Sequence, residues 1–98
     1  MNRSQIVKKL NELAPYLRRR GIKHAALFGS TARNETTAHS DIDIIVELDP
    51  SARLSGFDLV GIERVLAEHL HAEVHILTHP VNKPGLLAEI ERDQIFAF

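Results

Sequence analysis

Apolar side chains recur at helical spacing near the start of the chain, where Ile6, Val7, Leu10, Leu13, Ala14 and Leu17 fall on one face. The pattern predicts a helix capped by Ser4 and stopped at Gly21, with Arg18, Arg19 and Arg20 at its negative dipole end. Pro15 lies inside the run and, lacking an amide proton, predicts a kink or a restart there. Ile22 to Phe28 reads as a short buried strand ended by Gly29-Ser30, and Thr31 to Ser40 is small and polar, with at most one helical turn around Ala32-Arg33. Asp41 to Leu48 then alternates with period two. Ile42, Ile44, Val46 and Leu48 take one face of a strand, and Asp41, Asp43, Ile45 and Glu47 take the other. Pro50 ends it. Ser55 with Asp58 is a capping-box variant that opens an amphipathic helix through Leu59, Ile62, Leu66 and Leu70. Glu73 to Leu77 reads as a third strand stopped by His79-Pro80, and Pro84 opens a helix carrying Leu86, Leu87 and Ile90. Ile95 to Phe98 supplies a further edge strand. Helices alternating with short strands predict an α/β fold, arranged as an α+β two-layer sandwich.

Composition narrows the function classes. A length of 98 residues suits one hydrophobic core, so residues 1–98 read as a single domain. Twelve basic against thirteen acidic side chains give no signal for nucleic-acid binding through phosphate attraction. The absence of cysteine removes disulfides, thiolate zinc sites and thiol nucleophiles, and suits a reducing cytoplasm. No apolar run has the length of a membrane span, and the first residues lack a signal-peptide core, so a cytoplasmic protein without membrane attachment is expected.

The candidate chemistry lies at Gly29-Ser30, followed after ten residues by Asp41-Ile42-Asp43. Two carboxylates at i and i+2 of a strand project from one face, roughly 7 Å apart at the backbone. Like charges so placed repel, and a hard divalent cation with a preference for oxygen ligands is what makes the pair favourable. Gly29 permits a tight turn and lets backbone N–H groups approach a phosphate. Ser30 adds a hydroxyl donor, and Arg33 lies one turn on, within reach of a phosphate oxygen.

The run from Leu27 to Val46, LFGSTARNETTAHSDIDIIV, resembles the signature of the minimal nucleotidyltransferases of the DNA polymerase β superfamily. It carries Gly29, Ser30, Ala32, Arg33, Ser40, Asp41 and Asp43 where that pattern has Gly-Ser, Ala-Arg, a Ser before the first Asp, and Asp-x-Asp. The resemblance implies a mixed β-sheet with flanking helices, the nucleotidyltransferase core. It implies that Asp41 and Asp43 are catalytic and hold magnesium, with manganese as the alternative. Gly29, Ser30, Arg33 and Ser40 would bind ATP as substrate. In-line attack of a hydroxyl on the α-phosphorus would release pyrophosphate. Members of this size are typically encoded beside a HEPN-domain protein, as antitoxin to an RNase toxin, and can transfer AMP onto it.

One position departs from the family pattern. A third acidic residue is usual within a Val-Asp-Leu-like triplet, and the matching triplet here is Val74-His75-Ile76. Three readings stay open: Glu73 reaches in from the same strand face, His75 itself binds a metal or acts as base, or the third ligand is missing and the chain neutralises its partner by binding alone. Imidazole favours softer ions than magnesium. Asn34 stands where the family often has Gly, and Asn tolerates the left-handed conformation. A zinc site from His69, His71, His75 and His79 is set aside because no cysteine and no usual ligand spacing accompanies them. Transfer to a small molecule such as an antibiotic is the weaker alternative, since it would normally need an added domain. Ile95, Phe96 and Phe98 would suit a partner or a self-dimer if exposed.

Overall fold

The computed structural model describes residues 2–33 and 41–98. The first helical pattern is divided in two, α1 (Arg3–Glu12) and α2 (Ala14–Arg19), with Pro15 in the first turn of α2. The restart follows from the missing amide proton. The cap differs from the expected Ser4: Asn2 accepts from the Gln5 N–H while the Gln5 side chain returns to the Asn2 N–H, a reciprocal box that Ser4 cannot make. Next come β1 (Ile22–Leu27), the one-turn α3 (Gly29–Ala32) and β2 (Ile42–Leu48). Helix α4 (Gly56–Leu70) opens at the Ser55–Asp58 box, followed by β3 (Val74–Thr78), α5 (Pro84–Asp93) and the short β4 (Ile95–Phe96).

The four strands form one mixed sheet in the order β3-β2-β1-β4. β1 runs antiparallel to both β2 and β4, while β2 and β3 are parallel and joined through α4. Period-two alternation sorts β2 between two cores. Ile42, Ile44 and Val46 join Ile6, Leu10, Leu17, Ile62, Leu66 and Leu70 under α1, α2 and α4. Ile45 points the other way and packs with Ala26 and Ile90, beside Leu77 and Leu86, so α5 covers part of the face that carries the acids. Full burial of a side chain such as Ile62 contributes about 1.5–3 kcal/mol. The second core explains why Ile45 is apolar although it shares a face with Asp41 and Asp43. No helix among the described residues is long and apolar enough to cross a membrane.

Candidate functional site

The end of β1 positions the Gly29-Ser30 turn. Phe28 is extended and its N–H donates to the Asp43 carbonyl at 3.2 Å, which holds the turn against β2. Gly29 then adopts φ +62°, and a Cβ built there would lie 2.9 Å from Asp43 Oδ2. Glycine therefore suits the left-handed backbone, and its missing Cβ lets the turn approach the carboxylate without displacing it. Ser30 follows in the first turn of α3, half-buried. Buried Thr31 accepts from the Asp43 N–H at 3.1 Å and donates to the Asp41 carbonyl at 3.4 Å. Arg3 Nη1 donates to the Ala32 carbonyl at 2.7 Å, satisfying one of the orphan acceptors at the end of this turn.

Arg33, expected near the phosphates, lies one turn beyond Gly29 and pairs with Asp93 of α5 at 3.3 Å. Asp93 also meets Arg92 at 3.1 Å, and its carboxyl is held below the usual range, foremost by the Arg92 hydrogen bond. Ser40 and Asn34 lie outside the described residues.

The parallel β2–β3 register sets Asp43 opposite His75 and Ile42 opposite Val74. The Ile42 N–H donates to the Glu73 carbonyl at 2.8 Å, which brings the entry of β3 beside Asp41. His75 Nε2 donates to Asp41 Oδ2 at 2.9 Å. One ligand-capable atom each of Asp41, Glu73 and His75 lies within 4.8 Å of the others, and this is the one such group among the described residues. The 2.9 Å between His75 Nε2 and Asp41 Oδ2 is a hydrogen-bond distance, and a cation bound there would replace the shared proton, since adjacent ligands of an octahedral ion lie about 3.0 Å apart. The residues present fit a divalent cation.

The electrostatics are those of a crowded acidic site. Burial raises the Asp43 carboxyl above its ordinary range. His75 opposes that effect, neighbouring Asp41 reinforces it, and Arg33 opposes it more weakly. The hydrogen bond to Asp41 raises the His75 imidazole, partly offset by desolvation and supported by the charges of Asp41, Glu73 and Asp43. Two other histidines of the zinc reading are elsewhere employed: His69 Nδ1 meets the Val65 carbonyl at 2.9 Å, and His71 caps α4 in the left-handed region.

Three contributors escaped the reading of the sequence. Thr31 falls in a stretch of small polar residues, although a hydroxyl directly after Gly-Ser is placed to bridge the turn to the next strand. Asp93 and Arg3 are far away in the chain and carry no local signal.

The strand order, the flanking helices and the turn facing β2 define the α+β nucleotidyltransferase fold. The chain belongs to the nucleotidyltransferase domain family, whose model matches residues 4–95. Two Methanocaldococcus jannaschii chains, each named as a protein adenylyltransferase, are similar to it. One is 42% identical over 93 residues, spanning 91% of this chain and 95% of the relative. The other is 33% identical over 99 residues, spanning 92% and 99%. Solved structures share the fold at lower identity. A structure described as a minimal nucleotidyltransferase has a TM-score of 0.78 at 24% identity, covering 97% of this chain and 95% of its own. A toxin–antitoxin complex with AMP-PNP gives 0.73 at 21%, covering 90% and 71%. A Shewanella oneidensis complex of tri-AMPylated HEPN toxin with MNT antitoxin gives 0.65 at 20%, covering 93% and 71%.

Proposed function

We propose that this chain transfers AMP from ATP to a hydroxyl of a HEPN-type toxin and acts as the antitoxin of that pair. The observation that carries the reading is the close approach of the Gly29 turn to Asp43, on the strand face that also presents Asp41. Two relatives named as protein adenylyltransferases, alike over nearly their whole length, support transfer to protein. Neighbours of the same fold in toxin–antitoxin complexes, one with AMP-PNP, support ATP as donor and the HEPN partner.

In this reading Asp41 and Asp43 hold a divalent cation, magnesium or manganese. The cation supplies charge neutralisation on the triphosphate and on the attacking oxygen. Gly29 and Ser30 present backbone and hydroxyl donors to the phosphate oxygens. Arg33, tethered to Asp93, stands at the edge of the same turn and adds positive charge. The acceptor hydroxyl forms the new bond to the α-phosphorus as the bond to the β-phosphate oxygen breaks and pyrophosphate leaves. Positioning and electrostatics supply most of the acceleration in such transfers.

The test is incubation with α-labelled ATP, magnesium or manganese, and a purified HEPN-type protein that forms a complex with this chain. Label should appear on the partner and vanish in Asp43→Ala while the complex still forms. A second reading, a non-catalytic antitoxin that silences its partner by covering it, is favoured by His75 in the place of an acid. Absence of label with either metal, with complex formation intact, selects that reading instead.

A further inference from the structure

We propose that Asp41, Glu73 and His75 form a mixed nitrogen–oxygen cation site that selects manganese(II) over magnesium, an inference that rests on the metal-dependent reading above and names its ion. Two neighbouring strand entries converge on it. Asp41 precedes β2, Glu73 precedes β3, and His75 sits one register step inside β3. The Ile42–Glu73 hydrogen bond clamps the two strand entries together at 2.8 Å, so the three side chains start from a fixed frame. Their ligand-capable atoms already lie within 4.8 Å of one another, with His75 Nε2 and Asp41 Oδ2 at 2.9 Å. Small side-chain rotations, without strand movement, bring all three onto one ion.

The surroundings leave room for the rest of a coordination shell. The His75 side chain is 57% exposed and that of Asp41 45%, so water and phosphate oxygens can take the remaining positions. Asp43 is on the same face but turned toward Gly29, where its Oδ2 would crowd any Cβ. It stands outside the Asp41–Glu73–His75 group, in which Glu73 supplies the second carboxylate from the side of β3.

The donor set decides the ion. Magnesium requires near-ideal octahedral oxygen coordination and gains little from imidazole, whereas later divalent ions accept nitrogen readily. Two carboxylates with one imidazole and open water positions therefore favour manganese over magnesium.

The test is electron paramagnetic resonance of manganese(II) added to the purified chain, with magnesium as competitor. The expected result is loss of the free-ion signal on binding, a nitrogen hyperfine coupling in the pulsed spectrum, and at least about tenfold weaker competition by magnesium. His75→Ala should abolish the nitrogen coupling and weaken manganese about tenfold, and Glu73→Gln should weaken it while leaving the coupling. His75→Asp should narrow the preference by raising magnesium affinity. Both side chains are exposed, and circular dichroism checks that each variant keeps its fold.

Manganese bound without nitrogen coupling, equal competition by magnesium, or no manganese binding at all each overturns the proposal. AMP transfer measured in parallel separates the two readings. Transfer supported by magnesium without nitrogen-coupled manganese leaves the transferase standing and removes this site. Nitrogen-coupled manganese without transfer does the reverse.

Discussion

Gly29→Ala adds a single methyl group where the backbone has φ +62° and where that methyl would meet Asp43 Oδ2 at 2.9 Å. The left-handed conformation costs an L-residue about 1–2 kcal/mol. Replacing glycine also lowers the entropy of the unfolded chain, which returns about 0.4–1 kcal/mol. The contact adds little to the net cost of about 1 kcal/mol, because Oδ2 is the far end of a side chain that can rotate away. For a chain of this size that loss lowers Tm by roughly 4–8 °C. Activity should suffer more than stability, since the displaced group is the carboxylate proposed to hold the cation. A shift near 1 Å can cost about 100-fold in rate. Urea unfolding gives the first quantity, and label transfer from α-labelled ATP at a temperature where both proteins are folded gives the second. Unchanged stability would refute the backbone assignment at Gly29. A destabilised variant with wild-type transfer would refute the claim that this close approach positions Asp43.

Asp43→Asn should stabilise the cation-free chain at neutral pH. A carboxyl raised by burial contributes stability that is present below its ordinary value of 3.8 and lost as pH rises through the folded value, so the charged form is the unfavourable one. Thermal melts in chelator should show the gain shrinking toward acid pH. His75 obeys the linkage of a raised imidazole: its pairing with Asp41 contributes below 6.5 and fades as pH rises through the folded value. Asp41→Asn should therefore lower Tm at mildly acidic pH, have little effect in base, and bring the His75 NMR titration midpoint down. Ser55→Ala removes the side-chain cap of α4 and should cost about 1 kcal/mol in denaturant unfolding. His71→Gly relieves a φ of 54° at the end of the same helix and should raise stability by up to about 1 kcal/mol in the same assay.

Much of the fold was legible because it is written in local periods. The alternation in Asp41–Leu48, the Ser55–Asp58 box and Pro84 in a first turn each act within a few residues, and each element formed within a residue or two of its expected ends. What could not be read depends on distance in the chain. The Arg33–Asp93 pair joins residues sixty positions apart, and Arg3 reaches Ala32 across twenty-nine. The second core under α5 was hidden for the same reason, since Ile45 gives no sign of meeting Ile90 until the sheet has formed. His71 carries no signal either, because its left-handed backbone is imposed by the turn between α4 and β3 rather than by its own preference.

The candidate site is a consequence of how the core fixes the strands. Ile42 and Val74 are partners in the parallel register and both are buried in the main core; two residues on, Ile44 lies in the same core and its partner Ile76 packs against it. A slip of one residue would turn Val74 and Ile76 out of the core and bring Glu73 and His75 in. Hydrophobic burial therefore fixes the alignment, and period two then leaves Asp41, Asp43, Glu73 and His75 gathered on the other face. Their proximity needs no further attraction among them, which is why three acids can sit together there. Under this constraint the backbone decides only that position 75 faces Asp43, and the side chain placed there decides the chemistry. A carboxylate at 75 adds charge repulsion that a cation must offset. An imidazole at 75 hydrogen-bonds Asp41 directly and lets the folded chain hold the cluster before any cation arrives.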